Sequence, residues 1–158
     1  MNRMLAVLFI VVCFTPALAI TGDLQVLSDI LEERIKSRRP EWELLNKHVD
    51  NHSMMIVWQN ALPDKKETHY AIIRIIPSIA EAAKMFAEAP PAQSGGRGVE
   101  IHGVGQEAWL KEYKRGAQIS IEFREANFIV DLMAPSEPKG RRFARYITDS
   151  IATLQYRK

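Results

Sequence analysis

Cysteine is almost missing from this sequence, because Cys13 is the only one among 158 residues. It lies between Val12 and Phe14 inside an apolar stretch, without the small residue before it and the polar segment after it that lipidation requires. A single cysteine excludes a disulfide within the chain. The stability of the protein must therefore come from an ordinary hydrophobic core.

The sequence also lacks an apolar run of the ~20 residues that a membrane-spanning helix needs. Its longest run, 4–14, follows Arg3 and precedes Pro16 and the segment Ala17-Leu18-Ala19. A positive start, a short apolar core and small residues before the cleavage point are typical of a secretory signal peptide. An uncleaved anchor is the alternative, but Pro16 and the paired small residues have no use in an anchor. We predict a signal peptide over 1–19 and a single secreted or periplasmic domain over 20–158, with no transmembrane segment after cleavage.

Neither sign of charge dominates the sequence. The chain has 21 basic and 19 acidic residues, and all the acidic ones follow the signal peptide. Loss of Arg3 on cleavage lowers the formal net charge from +2 to +1. This balance provides no general attraction to nucleic acid or to an anionic membrane, and we predict no nucleic-acid partner.

The rest of the chain alternates between helical and strand patterns. Leu24, Leu27 and Leu31 recur at helical spacing, whereas Ile119 and Ile121 alternate with polar residues as in a strand with one buried face. The patterns predict helices at 23–39, 78–89 and 141–155, and strands at 42–49, 53–60, 68–76, 99–102, 107–113, 118–124 and 128–133. Because most strands follow one another after short turns, we expect an α+β two-layer sandwich, a mostly antiparallel sheet with amphipathic helices packed on it.

One stretch, Gly103 to Pro135, resembles a hairpin of small exported bacterial proteins of unknown function, some of them compared with the PsbP/Mog1-like fold. In that hairpin a "GxGDEA" segment leads into strands that end in a "GNxxV" turn. Matching residues in the first segment are Gly103, Gly105, Glu107 and Ala108, with Gln106 in place of aspartate. In the second turn, Ala126-Asn127 replaces Gly-Asn. The resemblance implies a fold and carries no catalytic residues.

Motifs for catalysis, metals and cofactors are lacking. There is no G-x-S-x-G segment and no cysteine after the signal peptide. His48 and His52 are four residues apart, but on a predicted strand end and turn rather than on a helix, so we expect no metal site. Glu122 and Asp131 are candidates for an acid and base pair, although such residues commonly face water. We predict no catalytic residue and no cofactor.

Basic residues crowd the start of the last predicted helix, where the helix dipole already places partial positive charge. Solvation, or pairing with acidic side chains of other elements, would explain them. The alternative is an anion-binding site for a phosphate, a lipid headgroup or an acidic partner. The four candidate residues are Lys139, Arg141, Arg142 and Arg145.

These observations favour an exported, non-catalytic module that binds a partner protein or an anionic small ligand of the cell envelope. The alternative is a small exported hydrolase or accessory enzyme with its site on the sheet. A pocket that holds a cluster of carboxylates or histidines would favour the enzyme.

Signal cleavage can be tested directly. We expect the exported protein to begin at Ile20, because Ala17 and Ala19 occupy the two positions that signal peptidase reads. Amino-terminal sequencing of the exported protein checks this. A chain that still begins at Met1 and extracts with membranes would show that the segment is an anchor.

Overall fold

A computed structural model describes residues 18–62, 67–88, 98–112 and 118–157, with the side chains of 18–22 and of Glu112 left aside. The predicted signal peptide before residue 18, the turns at 63–66 and 113–117, and the glycine-rich loop up to residue 97 lie outside these residues. Over the described ranges the chain forms three helices and seven strands. In order, they are α1 (Leu18–Arg38), β1 (Trp42–Val49), β2 (Ser53–Asn60), β3 (Thr68–Ile75), α2 (Ile79–Glu88), β4 (Val99–Glu100), β5 (Glu107–Glu112), β6 (Ile119–Glu125), β7 (Phe128–Ala134) and α3 (Glu137–Tyr156).

The seven strands form one sheet in the order β1-β2-β3-β7-β6-β5-β4, and every neighbouring pair is antiparallel. The meander β1–β3 and the meander β5–β7 meet in the middle, where β3 pairs with β7. The predicted antiparallel sheet is confirmed. No described helix is both long and apolar enough to cross a membrane.

Helices α1 and α3 cover one face of the sheet. Strand alternation turns Ile56 and Trp58 of β2 and Val130 and Leu132 of β7 toward that face, and all four are buried. Each helix buries one apolar stripe against them: Leu24, Leu27, Leu31 and Ile35 of α1, the first three at the predicted spacing, and Phe143, Ile147, Ile151 and Leu154 of α3. Each such side chain contributes about 1.5–3 kcal/mol, and the α+β sandwich is confirmed.

Helix α2 packs on the opposite face. Ala82 and Phe86 contact Ile129, which alternates with the core-facing residues of β7. Ser78 caps the helix, since its hydroxyl oxygen accepts the Glu81 backbone N–H at 3.1 Å. Ile79, in the first turn, lies outside this buried side of the helix, because it is 57% exposed.

Two helices begin earlier than predicted. α1 begins at Leu18, so the expected cleavage point after Ala19 falls in its first turn. α3 begins at Glu137 with Pro138 in its first turn. Proline fits that position because the first N–H groups of a helix have no intrahelical acceptor, and it does not separate the helix from β7 as expected.

Arg124 joins the two turns that carry the family resemblance. Its side chain is 8% exposed and donates to Glu107 at 2.7 Å, to Gln106 at 2.5 Å and to the Ala126 carbonyl at 3.1 Å. Gln106 therefore supplies an acceptor at the position where aspartate is usual. Ala126 holds a left-handed φ of 51°, the conformation that favours the glycine it replaces.

Gly103 and Gly105 provide a matched test of this segment. Both have positive φ, 79° and 55°, but a Cβ at Gly105 would lie 2.5 Å from the Arg124 carbonyl oxygen, while one at Gly103 would meet only Arg145 at 3.8 Å. We expect Gly103→Ala to lower the free energy of unfolding by about 1–2 kcal/mol through backbone strain alone. Gly105→Ala should cost about 2 kcal/mol more. Urea denaturation checks both, and equal losses would contradict the steric argument.

Candidate functional site

A cavity of about 220 Å³ lies at one end of the sandwich. It is bounded by the last turn of α1, the first half of α3 and the chain at the ends of β1, β2 and β3. Four rings and Ile35 form its interior: Trp42, His69, Phe143 and Tyr146 are all buried. Charged residues, Asn60 and Leu62 complete the lining.

Strand register and helix periodicity bring these side chains together. Trp42 pairs with Asn60 across β1 and β2, and His69 pairs with Trp58 across β2 and β3, so Trp42 and His69 lie on the face that α3 covers. On α3 the lining positions are 139, 142, 143 and 146. This spacing places all four on one side of the helix.

The rings form a continuous aromatic surface. His69 stacks on Phe143 with centroids 4.5 Å apart and an interplanar angle of 16°. The edge of Trp42 meets the same imidazole at 4.5 Å, and Tyr146 meets Phe143 edge to face at 6.3 Å. Such geometries are attractive beyond the burial of area, so the four rings hold one another in place.

His69 is the unusual member of this surface, because it is only 2% exposed and neither ring nitrogen has a hydrogen-bond partner among the described residues. Burial lowers the pKa of His69 to about 4, although the Glu67 carboxylate and the Lys139 backbone act to raise it. The Lys139 backbone does not reach normal hydrogen-bond geometry with the ring. The ring is therefore neutral at pH 7, with one donor and one acceptor. Each buried polar atom without a partner costs about 1–3 kcal/mol. Among the described residues with such atoms, His69 is the one that lines the cavity.

The rim carries three cations and two carboxylates. Lys139 pairs with Glu67, and Arg39 pairs with Glu41 at 3.4 Å. Arg142 is exposed and has no hydrogen bond or ion pair with another described residue. The described lining residues therefore have a formal charge of +1, and Arg142 is the cation among them that pairs with no described carboxylate.

The structure divides the predicted basic cluster between two sides of α3. Lys139 and Arg142 line the cavity. Arg141 pairs with Glu137 at 2.7 Å and donates to the His102 carbonyl at 2.9 Å, and Arg145 donates to the Gly103 carbonyl at 3.3 Å. Because successive helical residues point about 100° apart, the four side chains do not converge on one point.

The other candidate groups lie away from the cavity. His48 and His52 are exposed, and no group of three metal-ligating side chains occurs within the described ranges. Glu122 and Asp131 are directly opposite each other on β6 and β7, and Asp131 accepts a hydrogen bond from Arg74 at 2.8 Å. This polar pair lies on the face of the sheet that α1 and α3 leave uncovered.

Sequence reasoning missed His69, although a signal was present. His69, Ala71, Ile73 and Ile75 alternate along β3 and all are buried. The period of two therefore placed a titratable residue at a core position, which is uncommon without a partner.

Comparisons of the chain with family models, with curated proteins and with solved structures find no match. The likeness of residues 103–135 to the exported bacterial hairpin stays a prediction.

The buried imidazole predicts a specific acid sensitivity. Unfolded His69 takes a proton as the pH falls through about 6.5, whereas the folded ring does so only near 4, so protonation favours unfolding between those values. His69 should remove about 3 kcal/mol from the free energy of unfolding between pH 7 and pH 4. Urea denaturation at pH values from 7 to 4 measures this loss. Over that range the free energy of unfolding should fall by about 3 kcal/mol less in His69→Leu than in the parent. The control His48→Leu, at an exposed position, should follow the parent, and identical profiles for all three proteins would contradict the assignment.

Proposed function

We propose that the chain is an exported, non-catalytic module of the cell envelope that binds a small ligand in the cavity between α1, α3 and the ends of β1–β3. The observation that carries this proposal is His69, a buried imidazole with two unpartnered nitrogens in an aromatic cavity. A ligand that hydrogen-bonds to His69 would offset the cost of leaving those atoms unpaired. The N-terminal pattern of Arg3, apolar run and Ala17-x-Ala19 supports export to the periplasm or the medium.

The cavity holds two carboxylates and a histidine, the combination expected of an enzyme, but the state of these groups supports binding rather than catalysis. Its described residues include no serine, threonine or cysteine that would act as a nucleophile. Both carboxylates are engaged by cations. A histidine with a pKa near 4 is a weak general base at neutral pH, because efficient bases have pKa values near the operating pH.

A small exported hydrolase or accessory enzyme is the second candidate function. It would use the opposed carboxylates Glu122 and Asp131 on the uncovered sheet face. The ion pair of Asp131 with Arg74 argues against it, since that carboxylate is already engaged by a neighbouring guanidinium.

Blocking the cavity mouth tests the proposal. Leu62 lines the cavity and is 48% exposed, so Leu62→Trp should fill the opening without disturbing the core. Leu45 is 56% exposed on β1 and is not part of the lining, which makes Leu45→Trp the matched control. Ligand-observed NMR with a fragment library should give hits on the parent and on Leu45→Trp that disappear on Leu62→Trp. Hits that survive in Leu62→Trp, or a parent without hits, would overturn the cavity as the site.

A further inference from the structure

We infer that the ligand of this cavity is a single-ring aromatic carboxylate with a hydroxyl group on the ring. This inference rests on the proposed function and adds the chemical class of the ligand. Three independent features of the lining define the three parts of that class: the ring, the single negative charge and the ring hydroxyl.

The size and shape of the interior select one aromatic ring. A cavity of roughly 150 Å³ holds benzene, so the 220 Å³ here leaves room for one ring with small substituents. The stacked pair His69–Phe143 and the edge of Trp42 offer a flat partner the offset and edge-on contacts that aromatic groups prefer. A saturated ring of similar volume would lose those contacts.

The rim selects one negative charge. Two of its three cations are already neutralised, Lys139 by Glu67 and Arg39 by Glu41. Arg142 remains, and a guanidinium binds a carboxylate through two parallel hydrogen bonds. A dianion would exceed the available charge and would meet the carboxylates of Glu41 and Glu67.

The position of His69 selects the hydroxyl. The imidazole is buried in the interior while Arg142 is exposed at the rim, so a carboxylate on Arg142 and the group on His69 belong to different ends of the ligand. A hydroxyl both donates and accepts, and it therefore matches either tautomer of the neutral ring.

Isothermal titration calorimetry on the cleaved chain tests the inference with four probes. Three of them each lack one feature of the first. They are 4-hydroxybenzoate, 4-hydroxybenzamide without the charge, benzoate without the hydroxyl, and 4-hydroxycyclohexanecarboxylate without the aromatic ring. We expect 4-hydroxybenzoate to bind tightest, about fivefold tighter than the amide, since the added pair involves an exposed cation.

Two variants locate the charge recognition. Arg142→Gln should remove the preference for 4-hydroxybenzoate over its amide, while Arg145→Gln, one helical turn away and bonded to Gly103, should keep it. His69→Leu should remove the preference for 4-hydroxybenzoate over benzoate and leave the charge preference unchanged. These losses support the inference.

The probe titrations test the ligand class, whereas the fragment experiment with Leu62→Trp tests the cavity as a binding site. Equal affinities for the four probes, a charge preference that persists in Arg142→Gln, or competition by inorganic phosphate at equal strength would overturn the ligand class. Fragment hits that Leu62→Trp abolishes would still support the cavity as a binding site. Absence of both probe binding and fragment hits would overturn the two proposals together.

Discussion

The pairing of β3 with β7 is the contact on which the rest of the structure depends. It joins two meanders through residues about 60 positions apart, such as Tyr70 with Met133 and Ile75 with Phe128. The chain must therefore lose the conformational entropy of closing that loop before the β3–β7 contacts can stabilise either meander. α3 begins three residues after β7 ends. The β3–β7 register therefore decides which residues of α3 lie over His69, and a slip of one residue would move the imidazole to the opposite face.

The cavity combines strong packing with an incomplete polar group. Its rings contact one another at favourable distances, yet His69 has no partner for either nitrogen. Folded proteins rarely leave buried polar groups unpaired, and departures from local consistency tend to mark functional sites. The surrounding core is built from two helical stripes and the alternate residues of the strands. We therefore interpret the cavity as a preorganised binding site rather than a packing defect.

Sequence patterns predicted the elements better than the site. The bounds 42–49 and 53–60 agree with β1 and β2, because apolar runs and turn residues are local signals. The start of α3 was missed, since Pro138 can either end a linker or open a helix. The basic residues at the start of α3 were treated as one cluster because sequence spacing alone does not show which neighbours each side chain meets. His69 was missed because its environment comes from Trp42 and Phe143, 27 residues before it and 74 after it.

We propose that His69 is a buried, neutral imidazole whose nitrogens bind the ligand. Long-range ¹H–¹⁵N NMR of the four histidine rings, followed from pH 8 to pH 3.5, tests it most directly. The signals of His69 are those that disappear in His69→Leu. We predict that this ring stays neutral until the pH approaches 4, and that its nitrogen chemical shifts change when 4-hydroxybenzoate is added. Protonation of that ring near pH 6.5, or nitrogen shifts that already indicate a hydrogen bond and do not respond to ligand, would contradict it.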